Sequence, residues 1–215
     1  RIARLRYRAL LAPGLLHGVA ARLAALIESL TRKSVTFTLG VPLTLPKSAR
    51  ILDYGYGTGS WLLSMRWLGY SHLLGYDIAA NAHQQDELAA RGIQIIPPGG
   101  LSGLEAASLD CVRLEHVFEH LADPLAVLGA LRRILRPGGL LVMTLPTIYP
   151  WLEEKDLESS PFRAYLQLPI HLTHHSVESS RRLLEAAGFA GIISRITARE
   201  RFVTLMARRP ADEGS

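Results

Sequence analysis

Alternating strand-like and helix-like segments predict an α/β fold, with a mainly parallel sheet covered by helices on both faces. Three observations carry this reading. Short apolar runs of strand length, at 49–54, 72–77, 93–96, 109–114 and 139–145, alternate with longer amphipathic stretches. Glycine or proline punctuates the junctions, at Gly69, Gly92, Pro97-Pro98-Gly99-Gly100 and Arg136-Pro137-Gly138-Gly139. Glycines at 55, 57 and 59 directly follow the first central run.

Each element has a local cause. Leu15, Leu16, Val19, Leu23, Leu26, Ile27 and Leu30 recur at helical spacing and predict a helix over 15–30. A connector with Gly40, Pro42 and Pro46 follows, so 1–46 reads as a helical cap, 47–208 as the main domain and 209–215 as a frayed tail. Residues 60–68 predict a helix stopped by Gly69, and 80–91 a second stopped by Gly92. Asp123-Pro124 predicts a helix start, since Asp caps free N–H groups and Pro at the first position loses no hydrogen bond. That helix runs to about Leu135, where Arg136-Pro137-Gly138-Gly139 halts it before the fifth strand. Ser176 caps a further helix ending at Ala187-Gly188-Phe189, and strand-like runs at 190–196 and 201–208 close the order. Residues 147–175 are the longest stretch without clear periodicity. With Tyr149, Trp151, the acids Glu153, Glu154 and Asp156, and Phe162 and Tyr165, they predict a lid or substrate-lining insertion.

Composition sets outer bounds. The chain has 215 residues, 48% of them hydrophobic, which supports one large core and lies far from disordered compositions. A single cysteine, Cys111, excludes a disulfide framework and a Cys-based zinc cluster. Its apolar flanks mark it as a small buried hydrophobe, and it fits a reducing cytoplasm, the expected location. The net charge is +5 and most of the cations are arginines. Arg1, Arg4, Arg6 and Arg8 fit a solvated helix face better than a nucleic-acid or membrane footprint. No uncharged apolar run reaches about 18 residues, so no spanning helix is expected.

Open parallel sheets bind ligands beyond the carboxyl ends of their strands, near the point where strand order reverses. The loops starting near residues 53, 77, 97 and 115 should therefore line a site. Glycines at 55, 57 and 59 let a ligand approach backbone where a Cβ would obstruct it, and the following helix presents free N–H groups there. Asp53, at the mouth of this loop, would repel a pyrophosphate and attract a cationic amino or sulfonium group. Asp77, at the end of the second strand, can accept both hydroxyls of a ribose.

Together these residues resemble the class I S-adenosylmethionine-dependent methyltransferases, in the small-molecule branch that includes ubiquinone-type O-methyltransferases. The resemblance extends from about 49 to 208. It includes Ser108 to Leu114, Phe118-Glu119-His120-Leu121-Ala122-Asp123-Pro124, Leu131 to Pro146, His171 to Ser176, and Leu183 to Phe189. It implies a Rossmann-like, seven-stranded, mostly parallel sheet of order 3-2-1-4-5-7-6 and S-adenosyl-L-methionine as cofactor. It further implies that Asp53, Gly55, Tyr56, Gly57 and Gly59 surround the methionyl part and that Asp77 binds the ribose. Ile78 and Leu101 would complete the cofactor site, and Glu115 would pass near the methionine end. Tyr56 stands where many relatives carry Cys, and the loop from Pro97 to Gly103 lacks the acid or amide that often meets adenine.

Methyl transfer to a hydroxyl or ammonium also needs a proton acceptor, and histidine is suited to that. His116, His120 and His174 are the candidate catalytic residues, with His116, beside Glu115, foremost. His171, His174 and His175 could be read as metal ligands with Glu115 or Glu119, but they lack a recognised metal spacing, so no metal is expected. The expected activity is methylation of an O, N or C atom of a small metabolite. Alternatives are an RNA or protein methyltransferase, or a cofactor-binding partner subunit without turnover. Leu114-Glu115-His116-Val117 replaces the Asn/Asp-Pro-Pro-Tyr type of motif after strand four, which disfavours nucleic acid.

Overall fold

The computed structural model describes residues 45–147, 170–197 and 202–211. The helix expected at 15–30, the arginines at 1–8, and Tyr149, Trp151, Glu153, Glu154, Asp156, Phe162 and Tyr165 lie outside these residues. The chain divides into two compact units, Arg1–Gly103 and Leu104–Ser215.

The first unit carries β1 (Arg50–Tyr54), α1 (Ser60–Trp67), β2 (His72–Tyr76), α2 (Ala82–Ala90) and β3 (Gln94–Ile96). β2 runs parallel to β1, with Asp53 opposite Gly75, and parallel to β3 on its other side. Ile51 and Leu52 are fully buried on consecutive positions, as a strand covered on both faces requires. Gly69 and Gly92 follow the helices with φ of 95° and 75°, the left-handed stops their positions predict. Asn81 caps α2, its Oδ1 accepting from Gln84 N at 2.9 Å.

The second unit carries β4 (Leu109–Glu115), a short 3-10 turn (Phe118–His120), α3 (Pro124–Ile134), β5 (Leu135–Pro146), α4 (Val177–Ala186), β6 (Ala190–Thr197) and β7 (Phe202–Arg208). β4 and β5 are parallel, whereas β7 is antiparallel to both β5 and β6. The seven strands form one sheet in the order β3-β2-β1-β4-β5-β7-β6, the order the resemblance implied. Asp123 caps α3 as expected, with Oδ1 accepting from Ala126 N at 2.9 Å. Ser176 caps α4 through a reciprocal box with Ser179. Cys111 is fully buried, and burial pushes its thiol pKa above the usual range.

One expectation is corrected. Arg136-Pro137-Gly138-Gly139 does not separate helix from strand as a free turn; β5 begins at Leu135 and includes it. Leu109 pairs with Leu135 and Cys111 with Leu140, so Arg136, Pro137 and Gly138 are extruded from the ladder as an exposed bulge. Arg209 holds this bulge in place. Gly138 N donates to Arg209 O at 2.9 Å, and Arg209 N donates to Gly139 O at 3.0 Å. The Arg209 guanidinium also donates to Leu135 O at 2.8 Å, at the end of α3. The looseness expected from residue 209 therefore does not begin at Arg209.

Candidate functional site

The glycine loop of the first unit is built as its composition requires. Gly55, Gly57 and Gly59 have φ of 80°, 52° and 74°, all in the left-handed region that a side chain penalises. Gly57 has no heavy atom within 4 Å of the place a Cβ would occupy, so its outer side is open space. Gly59 is the N-cap of α1 and places no side-chain cap on that helix, which leaves the helix start open to a ligand. Asp53, the last residue but one of β1, is fully buried beneath the loop.

Asp77 plays a structural part that sequence reasoning did not foresee. Its Oδ2 accepts from Gly57 N at 2.8 Å, and its Oδ1 accepts from Ala79 N at 2.8 Å. Gln84 adds a second tie from α2, its Nε2 donating to Gly57 O at 2.7 Å. The loop is thus fixed before any ligand arrives. A carboxylate has about four acceptor positions, so two backbone bonds leave room for further donors.

The aromatic ring of Tyr56 is buried rather than turned outward. Its Cδ1 lies 2.8 Å from where a Cβ on Gly75 would sit, and Leu62 Cδ1 lies 2.9 Å from that point. Gly75 is therefore the floor on which the ring rests. Burial first, and the charge of Asp77 second, raise the Tyr56 pKa. Ile78, next to Asp77, is 77% exposed, an unusual placement for a large aliphatic side chain. Leu101 lies in the 3-10 turn Gly100–Gly103 that follows β3.

In the second unit, Glu115 ends β4 and pairs with the buried guanidinium of Arg113. His116 continues the ladder by donating its N–H to Thr144 O at 2.8 Å, yet its φ is 52°. A non-glycine residue held in this region carries strain, and such strain gathers at functional sites. Its ring is partly exposed, packs edge-on against Phe202 at 4.9 Å, and sets Nδ1 3.5 Å from Glu119 Oε1.

Glu119 is the centre of the histidine group. It is buried in the 3-10 turn, and its backbone carbonyl accepts from Leu172 N at 2.9 Å and Thr173 N at 3.1 Å. That clamp brings His171, His174 and His175 to the turn carrying His120. The rings of His120 and His171 are 4.9 Å apart, and those of His171 and His174 5.9 Å apart. His175 is buried, bonded through Nε2 to Thr173 Oγ1 at 2.8 Å, and its pKa is lowered chiefly by burial. Three of these groups, Glu119, His120 and His171, place one ligand atom each within 4.8 Å of the others.

Of the residues singled out in the sequence, the first unit brings together Asp53, Gly55, Tyr56, Gly57, Gly59 and Asp77. The second unit joins His116 to Glu119, and His120 to His171 and His174. Gln84, Arg113 and Phe202 were missed. Gln84 and Arg113 act through contacts 27 and two residues away along the chain, and neither spacing carries a motif.

The fold and the loop define an enzyme of the class that binds S-adenosylmethionine at the glycine end of an α/β sheet. The chain matches the family described as "Methyltransferase domain" over residues 20–194, and it belongs to that family, the class I S-adenosylmethionine-dependent methyltransferases. S-adenosylmethionine is its cofactor, and the open space at Gly57 leaves room for a ligand against the loop backbone. The chain is 41% identical over 97 residues to a 37.1 kDa protein in a transposon of Streptomyces fradiae, covering 40% of this chain and 26% of that protein. It is 30% identical over 105 residues to a ubiquinone biosynthesis O-methyltransferase of Xanthomonas axonopodis, covering 46% of this chain and 44% of that enzyme. The chain thus spans less than half the length of either relative. A phosphoethanolamine N-methyltransferase of Haemonchus contortus, solved with S-adenosylmethionine, shares the fold with a TM-score of 0.65 at 14% identity, over 78% of this chain and 50% of that one. Among the described residues no helix is long and apolar enough to cross a membrane.

Proposed function

We propose that the chain transfers the methyl group of S-adenosylmethionine to an O, N or C atom of a small metabolite. One observation carries this reading: Asp53, fully buried, lies at the foot of a loop whose three glycines all adopt positive φ. A carboxylate at the foot of open backbone suits a ligand with a cationic amino group and disfavours a pyrophosphate.

In this assignment Asp53, Gly55, Gly57 and Gly59 hold the methionyl part, with Tyr56 supporting the loop from below. Asp77 accepts the ribose hydroxyls, exposed Ile78 covers a face of the adenine, and backbone near Leu101 meets its edge. Glu115 is assigned to the methionine end by the resemblance alone. When bound, the sulfonium supplies an electrophilic methyl carbon for in-line displacement. The protein aligns the acceptor and takes up its proton. His116 is the base, its Nδ1 oriented by Glu119 so that Nε2 is left for the acceptor. His120 and His174 line the acceptor side. The assignment of residues 1–46 to a cap and of 147–175 to a substrate-lining insertion rests on the sequence alone. A small-molecule partner belongs to the same reading, supported by the ubiquinone-type relatives, and the cytoplasmic location rests on the sequence alone.

Calorimetry with S-adenosylmethionine against NAD tests the proposal. Heat from the first and none from the second is expected; no heat from S-adenosylmethionine overturns it. Methyl groups recovered in RNA or bulk protein, and not in the small-molecule fraction, would overturn the acceptor class.

A further inference from the structure

We propose that Glu119, His120 and His171 form a site for one divalent transition cation, with Zn2+ as the preferred ion. Their ligand atoms lie within 4.8 Å of one another, and a tetrahedral zinc set brings such atoms to about 3.3 Å by a modest inward movement. All three residues belong to the second unit, and two backbone bonds already tie them together. Leu172 N and Thr173 N both donate to Glu119 O, so the turn bearing Glu119 and His120 is fastened to the segment bearing His171.

Two further observations point to a ligand. Glu119 is 2% exposed, and its Oε2 is buried without a hydrogen-bond partner among the described residues. A buried carboxylate oxygen left this way is costly, and a cation removes the cost. His120 Nδ1 lies 2.8 Å from Ile170 O. A carbonyl can only accept, so Nδ1 carries the proton and the Nε2 lone pair is free to ligate. Histidines that bind metals are oriented in this way, by a carbonyl on the nitrogen away from the ion.

The donor set decides the class of ion. Two imidazoles and one carboxylate suit Zn2+ and its neighbours, whereas Mg2+ takes oxygen donors and keeps its waters. Three protein ligands leave one position open to water or to an oxygen or nitrogen of a small molecule. His116 is then a positioning residue for the site as well, since it holds the other oxygen of Glu119. Cation binding at these residues is separate from methyl transfer and is measured without turnover.

The full chain, stripped with EDTA and dialysed, is titrated with ZnCl2 by calorimetry and with CoCl2 by visible absorption. One Zn2+ per chain is expected, with visible Co2+ bands that Zn2+ bleaches and millimolar Mg2+ does not. Glu119→Gln and His171→Ala should each weaken Zn2+ at least tenfold. His120→Ala serves if either fails to fold by circular dichroism. Absence of Zn2+ binding, binding unchanged in the folded variants, or equal competition by Mg2+ would overturn the site. Calorimetry with S-adenosylmethionine on the same samples separates the two proposals, because loss of either signal alone condemns only the reading it belongs to.

Discussion

Asp77 Oδ2 accepts the backbone N–H of Gly57 at 2.8 Å, so the acid that follows β2 is fastened to the glycine loop that follows β1. The residue expected to meet a ribose also sets the shape of the glycine loop. On the proposed assignment binding and loop geometry are coupled through one side chain, and removing it should affect both.

Asp77→Ala deletes the acceptor of two backbone N–H groups, those of Gly57 and Ala79. A lost charge-assisted contact to ligand is worth roughly 1–3 kcal/mol, about five- to 150-fold in Kd for S-adenosylmethionine. Asp77→Asn keeps one acceptor and should recover part of the loop order but little of the affinity. Calorimetry on both variants checks this; full affinity in Asp77→Ala would remove the ribose assignment.

Gly75→Ala tests the floor of the loop. A Cβ there would stand 2.8 Å from Tyr56 Cδ1 and 2.9 Å from Leu62 Cδ1, and the tyrosine ring is rigid. Gly75 is not among the glycines with positive φ, so the cost is one of packing, about 1–3 kcal/mol. Thermal melting should show the loss, and Tyr56→Leu in the same chain should restore part of it. Cofactor affinity should fall with the single change, because the displaced ring carries the loop with it.

Alkaline pH should weaken the first unit through Tyr54. Burial, with a smaller contribution from Tyr76 at a ring distance of 4.9 Å, raises its pKa from 10.0 to about 12. Between these values the folded state keeps a proton that the unfolded state has lost, so stability falls as pH rises. The contribution is fully present below pH 10 and is gone above about 12. Melting temperatures of Tyr54→Phe and the parent chain should converge below pH 10 in their slopes and separate above it. Equal slopes up to pH 12 would contradict the burial argument.

What sequence could and could not supply follows from the range of the interactions. The loop from Asp53 to Gly59 and the cap at Asp123 were legible because backbone geometry there dictates residue type at fixed offsets. The strand order followed from resemblance as a whole. The bulge in β5 was not legible, because Arg-Pro-Gly-Gly is ordinary turn chemistry and only the distant Arg209 backbone draws it into the ladder. The clamp between Glu119 and 172–173 escaped for a similar reason: a carbonyl serves as acceptor, and carbonyls leave no trace in side-chain patterns. The histidines were visible as candidates, but their grouping around Glu119 depends on that clamp.

His116→Asn separates strain from chemistry. His116 is held at φ 52°, a region that asparagine tolerates better than most residues, so the backbone should remain as it is. The substitution removes the imidazole while keeping a short polar side chain near Glu119. If His116 accepts the proton, turnover should fall roughly 10²–10⁴-fold, the usual contribution of a positioned general base. The Kd for S-adenosylmethionine should stay within about threefold, because the residue is assigned to the acceptor and not to the cofactor. Turnover lost at unchanged melting temperature and cofactor affinity is the decisive readout, because loss of a merely structural histidine would lower stability as well. A variant that retains the parent's rate would exclude His116 as the base.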